Sequence, residues 1–209
     1  MKTPAFTVTG VMACLMLLSQ PVNAQTEARA IFNLQAQLKE PTCNQTLTSS
    51  GDADSGGNVD FGTISLADGG SVEKTKHVVL TLTCDSTSPP SVAGIGFNVK
   101  NGTTSPLDSA KLYPEKATGI FQDNLSYDWA WGKGIDEAVA ETPEYAGLKP
   151  GEKVDLVIKV EASRQYGLVQ KENRSTWAFP VDITRNARDI ATLSAGDYIA
   201  AVQVNISYE

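Results

Sequence analysis

Apolar side chains recur at every second position along most of this chain, and that periodicity constrains its fold more than any other feature. In an extended strand, alternate side chains point to opposite faces, so each such run can bury one face and wet the other. Ala28, Ala30, Phe32, Leu34, Ala36 and Leu38 hold one face of the first run, with Ile31 alone out of phase. Val78, Leu80, Leu82 and Cys84 form the next set, followed by Ile95, Phe97 and Val99. Tyr127, Trp129 and Trp131 alternate with Asp128 and Ala130, and Val154, Leu156, Ile158 and Val160 follow. Trp177, Phe179, Val181 and Ile183 make another run, in which Pro180 points to an edge or bulged strand. The last is Tyr198, Ala200, Val202, Val204, Ile206 and Tyr208. Turn signals separate the runs: Gly69 and Gly70, Pro89 and Pro90, Asn101 and Gly102, Pro150 and Gly151, Gly196 and Asp197. No helical face competes; residues 135–145 offer a helical turn or two, interrupted by Pro143. The expectation is one all-β sandwich of about seven strands, with surface loops at 102–124 and 132–151. No internal repeat or low-complexity linker marks a second domain.

The first 24 residues follow a different rule. Lys2 is their only charge, an apolar stretch ends at Leu18, Pro21 breaks it, and Val22 and Ala24 suit a cleavage site. That is the layout of a secretory signal peptide, and the run is too short for a membrane span, which needs about 20 apolar residues. Its removal leaves 185 of the 209 residues and moves the net charge from −7 to −8. Cys14 leaves with it, so Cys43 and Cys84 remain as an even pair in an exported chain, which reads as a disulfide rather than two free thiols. Closing that loop restricts the unfolded chain by roughly 4 kcal/mol at most in the loop-entropy model.

Ordered motifs carry a more specific message. The chain reads L-Q-A-Q-L at 34–38, P-T-C at 41–43, V-D-F-G-T-I at 59–64 and L-T-L-T-C at 80–84. It closes with G-D-Y-I-A-A-V-Q-V-N-I-S-Y-E at 196–209, which puts Gly196 fourteenth from the end and Tyr208 next to last. This series resembles the pilin subunits of Gram-negative fimbriae assembled by the chaperone–usher pathway. The resemblance covers both ends, and the middle (roughly 85–195) only as generic alternating strands.

The resemblance implies an incomplete immunoglobulin-like sandwich lacking its last strand, so that a groove of unpaired edge and apolar floor awaits a donor strand. It divides the chain into a signal peptide (1–24), an N-terminal donor extension (25–33) and a pilin domain (34–209). Ala28, Ala30 and Phe32 would be the donor residues. Gly196, Tyr198, Ala200, Val202, Val204, Ile206 and Tyr208 would form the groove edge. The implied partners are a periplasmic pilus chaperone, an outer-membrane usher and other pilin subunits, with the product a fimbrium on the cell surface contributing to adhesion. The donor segment departs from the pattern: it is short, lacks glycine and has alanine at two of three apolar positions. At about 0.8 kcal/mol per buried methylene, such a donor is expected to bind less tightly than one built of Val, Leu and Ile. A minor or terminal subunit fits that departure as well as a shaft subunit does.

Other readings are poorly supported. Seventeen basic residues against 24 acidic ones, without a Lys/Arg cluster, argue against a nucleic-acid partner. His77 is the only histidine and neighbours Lys74 and Lys76, so it reads as a solvated side chain; no catalysis, metal or cofactor is expected. Gly94 and Gly96 read as close packing, the acidic positions Asp136, Glu137, Glu141 and Glu144 as a wet loop, and the Asn-x-Ser/Thr triplets as chance. Trp129 and Trp131 share a strand face and read first as core. Were they exposed, they would be candidate receptor contacts, stacking on a host glycan in a single-domain tip subunit. A two-domain adhesin is disfavoured, since 185 residues leave no room for a second domain.

Overall fold

The computed structural model describes residues 27–38, 43–49, 57–67, 70–85, 89–119, 122–158, 163–171 and 174–209. The expected signal peptide lies outside them, as does Val160. In chain order the elements are β1 (Glu27–Leu38), β2 (Cys43–Ser49), β3 (Asn58–Ser65), β4 (Val72–Cys84), β5 (Val92–Asn101), β6 (Thr103–Ser105), β7 (Asp108–Tyr113) and β8 (Glu115–Lys116). They continue with β9 (Leu125–Trp131), α1 (Ile135–Ala138), β10 (Val139–Ala140), β11 (Leu156–Ile158), β12 (Arg164–Leu168), β13 (Thr176–Ala187), a 3-10 turn (Ile190–Thr192) and β14 (Gly196–Tyr208).

The strands form two sheets. One runs β10-β12-β5-β14-β1-β3, with β11 added to β5 and β8 to β14. The other runs β2-β4-β13-β9-β7-β6. Their inward phases meet in one core, and the alternation read from the sequence supplies it: Leu80, Leu82, Phe97, Tyr127, Trp129, Trp177, Phe179, Ile183, Val202 and Val204 are all buried there. A smaller cluster of Ile64, Leu125, Ala187, Ile190, Leu193 and Tyr198 closes one end. The fold is an all-β sandwich, as expected, with more strands than the sequence pattern marked, several of the additional ones short. Part of the 102–124 insertion folds into β6, β7 and β8, and the helical turn at Ile135–Ala138 buries Ile135 and Ala138.

Pro180 corrects an expectation. Its strand is not an edge: β13 lies between β4 and β9. Pairing with β9 begins only at Val181, opposite Trp131, so Pro180 sits one step beyond that ladder. Its carbonyl still accepts the Gly132 N–H at 2.8 Å, which places its missing N–H on the side where β9 has already ended. A central strand tolerates proline there because no ladder bond is lost.

The cysteines face each other in the β2–β4 ladder, and the Cys43–Cys84 disulfide joins them with Cα atoms 4.0 Å apart.

Candidate functional site

The last strand, β14, is 13 residues long and alternates buried and half-buried positions throughout. Tyr198, Ala200, Val202, Val204, Ile206 and Tyr208 are its inward residues, as the sequence pattern required. Gly196 opens it with φ 134°, and a Cβ there would stand 2.8 Å from Lys116 Cε on the adjoining β8. A side-chain-bearing residue would meet a strained backbone and would have to push the flexible end of Lys116 aside. Tyr198 closes the small cluster and donates its hydroxyl to the Ser194 carbonyl at 2.7 Å. At the far end the buried Tyr208 hydroxyl accepts the Cys43 N–H at 3.1 Å. The penultimate tyrosine thus ties the end of one sheet to the bridged end of the other.

One edge of β14 pairs antiparallel with β5. The other edge pairs in parallel with β1, in unbroken register from Ala28 opposite Gly196 to Leu38 opposite Ile206. The first half of β1 also pairs antiparallel with β3, from Glu27 opposite Ser65 to Asn33 opposite Asn58. The place beside β14 where a donor strand is expected is therefore occupied by the chain's own N-terminal segment. β1 runs continuously across the expected boundary between residues 33 and 34. The backbone positions of Ala28 and Ala30 are part of this pairing, while their side chains lie outside the described set. Phe32 is fully buried, its ring 5.0 Å from Trp129 and 5.8 Å from Tyr127, centroid to centroid.

The V-D-F-G motif builds the opposite wall of this slot. The β1–β3 register shifts between Ala30 and Ile31, so that Phe61 is the extra residue of a bulge. Gly62 adopts φ 72°, and the Asp60 carboxylate folds back to accept its N–H at 2.7 Å. Glycine suits the left-handed turn and aspartate its short-range bond, which is why those two residue types flank the bulged phenylalanine. Val59, Phe61 and Ile64 all point into the interior.

Two cations secure the bulge. Lys74 donates to the Phe61 carbonyl at 2.9 Å. Arg185, only 2% exposed, crosses from β13 and donates to the Phe61 and Gly62 carbonyls at 3.0 and 3.4 Å. Burial pulls its pKa down, an effect that Tyr127 partly offsets, and guanidinium basicity keeps it a cation regardless. Burial likewise pushes the Tyr127 hydroxyl well above the ordinary phenol range, so it stays neutral in physiological conditions. Arg185 was missed in the sequence reading. The available signal was its position: it continues the inward phase of Trp177, Phe179, Val181 and Ile183.

Trp129 and Trp131 do not form a surface pair. They are 1% and 2% exposed, and their rings meet Phe97 at 5.9 and 5.7 Å. A sandwich this wide needs large side chains to fill the gap between sheets, and β9, central in its sheet, supplies them. The glycan-stacking role expected for them on exposure is accordingly withdrawn. His77 stands exposed on β4, with Asp182 Oδ1 at 2.6 Å from its Nδ1 across the β13 ladder. No cluster of three or more His, Cys, Asp or Glu side chains suited to a metal ion occurs among the described residues.

No family model and no curated protein matches the chain. Among solved structures, the P pilus rod subunit PapA aligns over 78% of this chain and 99% of that one, at 15% identity and a TM-score of 0.38. That overlap is too loose to carry the assignment of the fold, which rests on the two sheets themselves.

Proposed function

We propose that this chain is a structural subunit of a surface fimbria, exported through the periplasm and polymerised by donor-strand exchange. In that reading a pilus chaperone covers the slot beside β14 before assembly, an usher in the outer membrane exchanges it, and a neighbouring subunit's N-terminal strand replaces it in the fibre. The fibre then contributes to cell adhesion, and the subunit performs no catalysis of its own.

One observation carries this reading: β14 and β3 are separated by the width of one strand, and a terminal segment of chain fills the space. A strand inserted between two others satisfies both exposed ladders with backbone bonds, while its alternate side chains enter the core. Only a terminal segment can be withdrawn from such a place without unravelling the strands around it. The ordered motifs of the two cysteines, V-D-F-G, Gly196 and Tyr208 fall on the elements that build and brace this slot.

Deletion of residues 25–33 tests the proposal. Co-expressed with a fimbrial chaperone, the shortened chain should co-purify with it, and fibres seen by electron microscopy should stop at the shortened subunit. Fibres that extend past it at normal length would overturn the donor role. A shortened chain that stays soluble and monomeric without any chaperone would overturn the slot.

A further inference from the structure

We propose that β2 is a pairing edge between two copies of this chain, joined antiparallel about a two-fold axis at Leu47, so that one sheet runs on into the other. The proposal goes beyond the strand-exchange reading and stands without it, because β2 belongs to the opposite sheet from β14 and its slot.

β2 ends its sheet: β4 pairs with one side of it, and no described strand pairs with the other. The ladder shows which groups face that open side. Cys84 turns its N–H to the Ser175 carbonyl beside β13, at 2.8 Å, so Cys43 and Cys84 form a non-hydrogen-bonded pair. Asn44, Thr46 and Thr48 then bond to β4, while Gln45, Leu47 and Ser49 direct their N–H and C=O groups outward. Natural sheets blunt such an edge with lysine, proline or a bulge. Cys43–Ser49 reads C-N-Q-T-L-T-S, with no charge, no proline and no register shift against β4.

The strand also fits itself, which names the occupant. With the axis at Leu47, that leucine stands opposite its own copy, Thr46 opposite Thr48 and Gln45 opposite Ser49. Gln45 Oε1 and Ser49 Oγ are both buried without a hydrogen-bond partner. An amide oxygen accepts and a hydroxyl donates, so this register brings the two orphaned groups together, once on each side of the axis. On the wet face, threonine opposite threonine is a favourable cross-strand pair. That face continues without charge through Val79, Thr81 and Thr83 on β4 and Thr176, Ala178 and Pro180 on β13. The chain carries 24 acidic residues against 17 basic, so two copies repel least where charge is absent. Pairing of identical edges about a two-fold axis is closed and stops at two copies.

The experiment uses the folded chain from residue 25 onward. Thr46 and Thr48 are exposed, so changing them leaves the core intact. A Thr46→Cys chain mixed with a Thr48→Cys chain under mild oxidation should give a covalent dimer, on the order of tenfold more than either chain alone. Peptide mass mapping should place the link between positions 46 and 48, beside an intact Cys43–Cys84 bridge. Lysine at both positions sets like charges opposite each other and should weaken dimerisation on the order of tenfold in sedimentation equilibrium. Thr46→Lys combined with Thr48→Glu makes two opposite-charge pairs and should restore it; circular dichroism checks each fold. Equal linking by either single-cysteine chain alone would overturn the register. A monomer at every concentration, or a dimer that ignores the paired lysines, would overturn β2 as the interface. Exchange of β1 between copies gives a dimer without the 46–48 link, so failure of this proposal leaves the strand-exchange reading standing.

Discussion

On its β5 side, β14 is held by a strand from the middle of the chain, with further strands on that strand's other edge. On its β1 side it is held by the 27–38 segment, whose own outer neighbour, β3, pairs with only the first half of it. Both flanks send a fully or nearly buried phenylalanine onto the same indole: Phe32 at 5.0 Å from Trp129, and Phe97 at 5.9 Å. Chemically the two contacts are alike, yet they differ in what must break to undo them. Removing β5 from β14 dismantles the sandwich, whereas removing β1 uncovers one slot. Interior packing sets how firmly a strand is held, and chain connectivity sets whether it can be exchanged.

The sharpest way to break this comparison is to remove the shared floor. Trp129→Ala should cost about 3–5 kcal/mol in urea unfolding, because both phenylalanines lose their common partner. Separating the flanks is the next step. Phe97→Ala and Phe32→Ala should each lower global stability by about 3–5 kcal/mol. In native-state hydrogen exchange, however, only Phe32→Ala should speed the amides of β1 and β3. If Phe97→Ala speeds them equally, the flanks open as one unit and the contrast fails.

Loss of the disulfide through paired Cys43→Ala and Cys84→Ala changes should cost roughly 2–4 kcal/mol by the same urea measurement. It acts on β2 and β4, so the β1 amides should follow the global change without a separate opening. Arg185→Ala comes next, at about 1–3 kcal/mol, since the Phe61 and Gly62 carbonyls both lose this buried donor while Lys74 still donates to Phe61. Because that arginine braces the far wall of the slot, the loss should appear first in β3 exchange.

The smallest effect is a control on β7, a strand that pairs with none of β1, β5 and β14. Asp108 accepts from Lys153 at 2.6 Å, and that bond holds its carboxyl below the usual carboxylate value. A pKa lowered on folding adds stability above the unfolded value of about 4, and that stability is lost as pH falls through the lower folded value. Asp108→Asn should therefore unfold slightly earlier in urea than the natural chain at pH 7. The gap should close under acid, with no change in β1 exchange at either pH.

Much of the fold was legible because alternation is a local property. The inward residues of β4, β9, β13 and β14 follow from a spacing of two, and the oxidised pair from counting the cysteines outside the expected signal peptide. Pro180 was misplaced for a specific reason: the rule against proline in central strands concerns the N–H, and where each ladder ends is invisible along one strand. Arg185 was passed over because charge normally marks the wet face. Its two carbonyl partners lie more than a hundred positions away in sequence.

By itself, then, the sequence determined which face of each strand is apolar, that the chain builds a β sandwich, and that Cys43 and Cys84 remain as a pair. Side-chain period and composition act within a few residues and need no partner. Tertiary structure alone decided which strands are neighbours: that β1 lies between β14 and β3, that Ala30 meets the level of Tyr198, and that the tryptophans of β9 face Phe97 rather than solvent. Pairing is a contest among edges distant in sequence, settled by how whole side-chain volumes fill one shared interior.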